Sequence, residues 1–374
     1  MRVAPIDIML SLLHIAFALA VPLAQASSLS GLANQASAPA GQFIIADYGV
    51  GHRSQLVTQW QTSLRSLDLS GTQPKILREF GGPPVISQPI GASALALDKD
   101  NDQLYIATGE GVVRSNLDGS NNITVISESA STLTVEGGKI YYGVTYTGLI
   151  KRVNLDGSNS EVLLNVSEGI NWGLSPTYTP AFRFPAGIAV DKEGQQIYWS
   201  SSTNMVDDAA LYGGTIRRAP LRAQDVSQSP QIVETLVEGI FVPGQVRLVN
   251  GGQFVYWIEQ GRWSNSQRAI KRAVIPATTE WNPTLKPQTI VHSNQSSIFF
   301  EKDFVPETQT LYIKSFAVAE DEGKLWFAME NDARVMFSKV VEIPLGGVVQ
   351  ESELKVLNKN ATEIGIPVGL EYVR

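Results

Sequence analysis

The sequence has no cysteine among its 374 residues and only three histidines. The first absence excludes disulfides, thiol nucleophiles, thiolate metal sites and iron–sulfur clusters. A chain without disulfides must be held by its core, and a mature length of roughly 350 residues can bury one. His14 falls in the N-terminal apolar run, which leaves His52 and His292, too few for a histidine-rich metal centre. Positive charge is in deficit, with a net charge of −7 and a pI near 5.2. This argues against nucleic acid, which needs a basic surface. Long apolar runs are scarce as well. Beyond Leu23 no stretch reaches the ~18 consecutive apolar residues of a spanning helix, so no membrane span is expected in the mature chain.

The one apolar run, Ile8 to Leu23, follows Arg2 and precedes Ala24-Gln25-Ala26, small residues at the −3 and −1 positions before Ser27. That is the pattern of a cleaved secretory signal. It predicts a signal peptide over 1–26, a single mature domain over 27–374, and secretion or residence in a secretory lumen. Sequons at Asn122, Asn165, Asn294 and Asn360 agree with a glycosylating route.

The motif "SNLDGSN" at 115–121 returns as "VNLDGSN" at 153–159. Aligning on these turns exposes five longer units, among them "ALALDKDNDQLYIATGEGVVRSNLDGSNNITVI" and "LTVEGGKIYYGVTYTGLIKRVNLDGSNSEVLL". Each has a short apolar strand, a turn of Asp, Gly or Asn, and then an aromatic strand: Leu104-Tyr105, Ile140-Tyr141, Tyr198-Trp199, Tyr256-Trp257 and Leu325-Trp326. Two more strands follow. Short alternating strands with such turns and few helical patterns indicate four-stranded antiparallel propeller blades.

The segment 43–77 supplies the second, third and fourth strands of a further blade but no first strand. The C-terminal "IPVGLEYV" at 366–373 offers it, because Pro367-Val-Gly-Leu parallels Pro185-Ala-Gly-Ile. The expectation is therefore an all-β, six-bladed propeller whose ring is closed by the C-terminal strand, leaving no open edge. The units resemble the low-density-lipoprotein-receptor type propeller, whose blades carry Tyr-Trp-Thr-Asp, and touch the NHL pattern at "PAGIAVD". Here the stretch reads "YWSS", "YWIE" and "LWFA". The resemblance implies fold, not function.

In such a blade the loop between second and third strands and the loop to the next blade share one face. Long or aromatic insertions fall there, at 47–62, 166–184, 201–213, 259–268 and 293–312, although long loops near 222–231 and 276–287 lie on the other face. Trp172, Tyr178, Phe182 and Phe184 share one of these connections, with Trp60, Trp263, Phe299 and Phe300 in others. Two readings stay open: loops that seal the ring, or an apolar funnel over the channel. At the centre of the innermost strand, where sister blades carry Ala96, Ala189 and Ala317, stand Arg247 and Glu371. They are either a structural pair bridging the channel or a substrate contact.

A calcium-dependent lactonase of this shape needs oxygen ligands converging at the channel. The inner strands offer mainly Ala, Val, Leu and Thr, so no metal and no cofactor are expected, although loop acids Asp207, Asp208 and Asp303 keep the lactonase alternative open. No nucleophile motif or phosphate loop is present. What remains is binding, or a reaction needing neither metal, nucleophile nor redox group, such as a pericyclic closure. In its signal, its sequons and its cysteine-free ring the chain resembles the fungal hetero-Diels–Alderases of tropolone sesquiterpenoid biosynthesis. That resemblance implies an apolar small-molecule substrate and a cofactor-independent cyclisation. Arg247 is then the candidate carbonyl donor, oriented by Glu371, with His52, Tyr178 and Arg183 as further candidates. Trp172, Phe182 and Trp263 would hold the substrate. The alternative from another class is a non-catalytic extracellular propeller that binds a protein or glycan.

Overall fold

The computed structural model describes residues 41–47, 62–69, 74–80, 92–144, 147–166, 183–203, 214–224, 232–260, 268–276, 285–293, 311–331, 338–358 and 367–374. The expected signal peptide lies outside them. The composite blade contains β1 (Gln42–Asp47), β2 (Thr62–Asp68) and β3 (Lys75–Phe80). The second blade is β4 (Ala92–Asp98), β5 (Gln103–Thr108), β6 (Gly111–Asn116) and β7 (Ile123–Ile126). The third is β8 (Ala130–Glu136), β9 (Lys139–Val144), β10 (Leu149–Asn154) and β11 (Glu161–Asn165). The fourth is β12 (Arg183–Asp191), β13 (Gln196–Thr203), β14 (Gly214–Pro220) and β15 (Glu234–Ile240). The fifth is β16 (Pro243–Val249), β17 (Phe254–Glu259), β18 (Ala269–Val274) and β19 (Gln288–His292). The sixth is β20 (Leu311–Ala319), β21 (Lys324–Asn331), β22 (Lys339–Pro344) and β23 (Lys355–Val356). Finally β24 (Pro367–Val373) pairs antiparallel with β1 and completes the composite sheet in the order β24-β1-β2-β3.

The result is six four-stranded antiparallel sheets, a six-bladed β-propeller as the repeats predict. The inner strands meet in cyclic order, β4 to β8, β12, β16, β20, β24 and back to β4. At the last junction a side chain on Gly369 would place its Cβ 2.5 Å from Leu95 Cβ, so only glycine lets these two strands approach so closely.

Packing follows from the aromatic second strands. Tyr105, Trp199, Tyr256, Trp257 and Trp326 are fully buried between blades, each removing a large apolar surface from water. The repeated turn has a packing role too. Asp118 Oδ1 accepts the Ser120 amide at 2.9 Å, and Asp156 Oδ1 accepts the Ser158 amide at the same distance. Gly119 and Gly157 sit at φ +82° and +86°. A Cβ on Gly119 would lie 2.9 Å from Leu77 O, and one on Gly157 would lie 1.9 Å from Val125 O. Each copy of the turn therefore docks on the outer strand of the preceding blade, which requires glycine at that corner.

Candidate active site in the central channel

The inner strands of all six blades line a central channel of about 460 Å3. Strand register shows which positions are equivalent around it. One row across each blade reads Ala96–Tyr105–Arg114, Thr134–Tyr141–Arg152–Glu161, Ala189–Tyr198–Arg218–Glu234, Arg247–Tyr256–Arg272–Gln288, Ala317–Trp326–Glu342–Lys355 and Glu371–Ile44–Ser66–Lys75. Arg247 and Glu371 thus occupy the inner position that is alanine in three sister blades.

The outer parts of these rows are polar ladders. Arg152 Nε bonds Glu161 at 2.6 Å, Arg218 Nε bonds Glu234 at 2.8 Å, and Arg272 Nε bonds Gln288 at 3.0 Å. Arg272 Nη1 also donates to the Tyr256 hydroxyl at 3.1 Å. Burial pushes the hydroxyls of Tyr105, Tyr141 and Tyr198 above the usual phenol range. The arginines recur at the same place in the third strand of four blades ("VVRSNLDG", "IKRVNLDG", "IRRAPL", "IKRAV"), opposite the second-strand tyrosine each time.

With Tyr256 already engaged by Arg272, Arg247 extends along the channel wall. Its Nη2 lies 2.5 Å from Glu371 Oε1 and 3.5 Å from Leu370 O, and its Nε donates to Phe316 O at 3.1 Å. The guanidinium therefore passes over β20 and ties the fifth blade to the composite blade. Its side chain is 26% exposed, against 8% for Glu371. Nη1 has no hydrogen bond among the described residues. The structure thus brings Arg247 and Glu371 together in the channel. Arg183 opens β12 with its backbone opposite Thr203. His52, Tyr178, Trp172, Phe182, Trp263, Asn294 and Asn360 lie outside the described residues, as do Asp207, Asp208 and Asp303. Asn122 lies in the β6–β7 turn, where its Nδ2 donates to Gly119 O at 2.7 Å. Asn165 ends β11 opposite Leu149.

A second set of positions was not legible in the sequence. Every inner strand carries a β-bulge near its start, and the extra residues are Ser93, Ser131, Ala186, Gly244 with Gln245, Lys314 and Val368. The bulge region is also where the blades are stitched together. Ser93 Oγ donates to Ala130 O at 2.8 Å, Ser131 Oγ to Pro185 O at 2.9 Å, Ser200 Oγ to Gly244 O at 2.6 Å and Ser315 Oγ to Pro367 O at 3.1 Å. Gln245 Oε1 accepts the Phe316 amide at 2.8 Å. Among the six bulges only one carries a charge, Lys314, and it lines the channel.

The opposite end of the channel is acidic. Asp98 closes β4, where it accepts the Asp100 amide at 3.1 Å and Asn101 Nδ2 at 2.8 Å. Glu136 ends β8, and Glu320 directly follows the last residue of β20. Among the described residues no group of three His, Cys, Asp or Glu side chains converges as a metal site.

The sequence matches no family model and no curated protein. Solved structures do match it. The periplasmic gluconolactonase of Pseudomonas aeruginosa aligns with a TM-score of 0.52 and 12% identity over 89% of this chain and 99% of its own. TolB from Acinetobacter baumannii aligns with a TM-score of 0.52 and 10% identity over 89% of this chain and 66% of its own. A chain of the nidogen/laminin complex aligns with a TM-score of 0.49 and 12% identity over 88% of this chain and 97% of its own. At these identities the likeness is one of fold. The chain is a six-bladed β-propeller that shares its architecture with a gluconolactonase and with TolB.

Proposed function

We propose that this chain is a secretory-route propeller enzyme. Its channel takes a small carbonyl-bearing molecule from the loop face and closes a ring by cofactor-independent hetero-Diels–Alder cyclisation, as a step of secondary-metabolite assembly. The observation that supports this best is the channel itself. Its volume suits a small molecule rather than a flat protein surface, and a guanidinium held by three contacts from two of its nitrogens, Nε and Nη2, stands in its wall. Two π-systems become two new σ-bonds and one new π-bond in such a closure, with no atom lost and no proton or electron supplied. The protein's part is to hold the partners together and to donate a hydrogen bond to the heterodiene oxygen. In this reading Arg247 Nη1 is the donor, while Glu371 and the carbonyls of Phe316 and Leu370 fix the guanidinium plane. Trp172, Phe182 and Trp263 supply stacking, and His52, Tyr178 and Arg183 supply further donors. The resemblance to the tropolone sesquiterpenoid cyclases names the reactants: a tropolone quinone methide and a humulene-type alkene, giving a dihydropyran.

The test is to generate the quinone methide in the presence of the alkene and purified protein, and to follow the adduct by chromatography and mass spectrometry. Expected is a single stereoisomer formed faster than in buffer. A rate and isomer ratio equal to buffer alone would sink the proposal.

Lactone hydrolysis is the second reading, favoured by the fold shared with the Pseudomonas gluconolactonase. A metal-dependent lactonase requires converging oxygen ligands, so chelation separates the two. Treatment with EDTA is expected to leave the melting temperature and cyclisation unchanged. Hydrolysis of a sugar lactone that EDTA abolishes would replace the first reading. Tight binding of a protein or glycan with no turnover of either substrate would favour the non-catalytic propeller.

A further inference from the structure

We propose that Gln245 is a second hydrogen-bond donor in the channel wall, and that with Arg247 it makes the channel selective for an uncharged carbonyl compound over a carboxylate. This rests on the small-molecule reading above and adds a residue that touches the ligand and the charge state that the ligand must have.

Gln245 sits in the bulge of β16, where an extra residue re-aims its side chain. Its Oε1 accepts the Phe316 amide at 2.8 Å. A backbone N–H can only donate, so this partner fixes which end of the side-chain amide is oxygen and which is nitrogen. The nitrogen, with two N–H groups, makes no hydrogen bond among the described residues. Other blade junctions are stitched by hydroxyls, such as Ser93 Oγ to Ala130 O at 2.8 Å, Ser131 Oγ to Pro185 O at 2.9 Å and Ser315 Oγ to Pro367 O at 3.1 Å. A serine uses its one hydroxyl hydrogen on the junction. The glutamine closes its junction with the oxygen and keeps both hydrogens.

Arg247 follows two residues on along β16, and its Nε donates to the carbonyl of the same residue, Phe316, at 3.1 Å. The two side chains therefore grip one peptide edge of β20, the innermost edge, which β21 leaves uncovered. Both line the channel. Arg247 Nε and Nη2 are occupied by Phe316 O, Leu370 O and Glu371 Oε1, and Nη1 makes no hydrogen bond among the described residues. Gln245 Nε2 and Arg247 Nη1 are thus neighbouring donors whose side chains are already anchored at another atom. Donors that need no reorganisation are the kind that stabilise charge gathering on a carbonyl oxygen.

The surroundings of the donors set the charge of the ligand. The guanidinium is paired with Glu371 at 2.5 Å, so the donors belong to a locally neutral pair rather than to a bare cation. The described lining of the channel holds five carboxylates, Glu371 among them, against three cations. A carboxylate ligand would meet this excess of like charge and would also lose its water. A carbonyl oxygen has two lone pairs, one for each donor, and brings no charge. The second and fourth blades present Ala94, Ala96, Ala186 and Ala189 to the same channel, which suits the apolar remainder of such a molecule.

The experiment uses three fluorescent probes with one aromatic body: propionyl-dimethylaminonaphthalene, which carries a carbonyl, dimethylaminonaphthoate, which carries a carboxylate, and dimethylaminonaphthalene, which carries neither. Each is titrated into the purified protein and followed by emission, which moves to longer wavelength when a donor bonds the carbonyl. Wild type is expected to bind the carbonyl probe roughly ten-fold or more tightly than the other two, the range for two hydrogen bonds. Gln245→Glu keeps an oxygen for the Phe316 amide and removes both N–H groups. It should weaken the carbonyl probe roughly three- to ten-fold, shift its bound emission to shorter wavelength, and leave the oxygen-free probe unchanged. Ser131→Ala, which cuts a junction bond elsewhere, should lower the melting temperature and leave the preference intact. Near-ultraviolet circular dichroism checks that each variant is folded. If Gln245→Glu does not fold, Gln245→Met must show the same loss, and the wild-type emission decides in any case. A carbonyl probe that emits from wild type as it does in hydrocarbon, equal affinity for the carbonyl and oxygen-free probes, or tighter binding of the carboxylate overturns the proposal. So does no binding of any probe, or an unchanged carbonyl affinity in Gln245→Glu. Carbonyl selectivity in a protein that forms no cycloadduct leaves this inference standing and removes the pericyclic one. Adduct formation at the wild-type rate by Gln245→Glu does the reverse.

Discussion

Arg247 on β16 and Glu371 on β24 are joined at 2.5 Å across the intervening strand β20. The pair has two separable consequences. Arg247→Ala leaves a carboxylate that is 8% exposed without its partner, which should cost ~1–3 kcal/mol given the solvent contact of the guanidinium. Under the proposed chemistry it should also slow turnover per folded molecule by roughly ten- to a thousand-fold, the range for losing one preorganised donor. Arg247→Lys should recover only part, because an ammonium lacks the planar fork that holds Glu371 and two carbonyls at once. Melting curves and single-turnover rates on the same preparations measure both. A lower melting temperature with an unchanged rate would make the pair a strut and nothing more.

The ring closure should have an alkaline limit. Tyr372 on β24 stacks on Trp326 at 4.5 Å, and its hydroxyl donates to Glu322 at 2.7 Å. Burial and then this carboxylate push the phenol up to about 12 from its usual 10.0. A folded-state value above the unfolded one means that the stabilisation is fully present below pH 10 and is lost as pH rises toward about 12. Tyr142, pushed up to about 12 mainly by burial, acts in the same window. Tyr372→Phe should therefore shallow the fall in denaturation midpoint across that window without abolishing it. An identical pH profile for wild type and variant would remove Tyr372 from the closure.

Gly157 is predicted to tolerate no side chain. Its φ of +86° costs an L-residue roughly 1–2 kcal/mol, and its Cβ would also fall 1.9 Å from Val125 O. Gly138, at φ +72° with nothing within 4 Å, carries the backbone cost alone. Gly157→Ala should thus lower the melting temperature well beyond Gly138→Ala. Equal shifts would show that the turn does not dock on β7.

Asn122 is expected to stay unglycosylated although it heads a sequon. The nitrogen that would carry the sugar donates to Gly119 O at 2.7 Å, and Oδ1 is buried without a partner. The side chain is folded onto its own turn rather than held out to solvent. Enzymatic deglycosylation in heavy-oxygen water, followed by peptide mass spectrometry, reads each asparagine separately. Label at Asn122 in folded protein purified from a glycosylating host would contradict the turn geometry.

By itself the sequence determined the blades, because their signals are local. Turn chemistry in "NLDGSN", aromatic second strands, and the match of Pro367-Val-Gly-Leu to Pro185-Ala-Gly-Ile each lie within a few residues and require no knowledge of the rest of the chain. It also marked Arg247 and Glu371 as odd among alanines, since equivalent positions can be aligned. Only the tertiary structure decided that these two, 124 residues apart, meet over Phe316. Only register shows that Arg152, Arg218 and Arg272 belong to ladders anchored on buried tyrosines. Lys314 was the least legible. In "LYIKSFAV" it reads as one polar residue of a strand, and it reaches the channel because β20 has one residue more than β21 at that point. A single unpaired residue reverses which side chains face the neighbouring blade and which face the axis. That choice is made by pairing between strands, which the pattern along either strand alone does not contain.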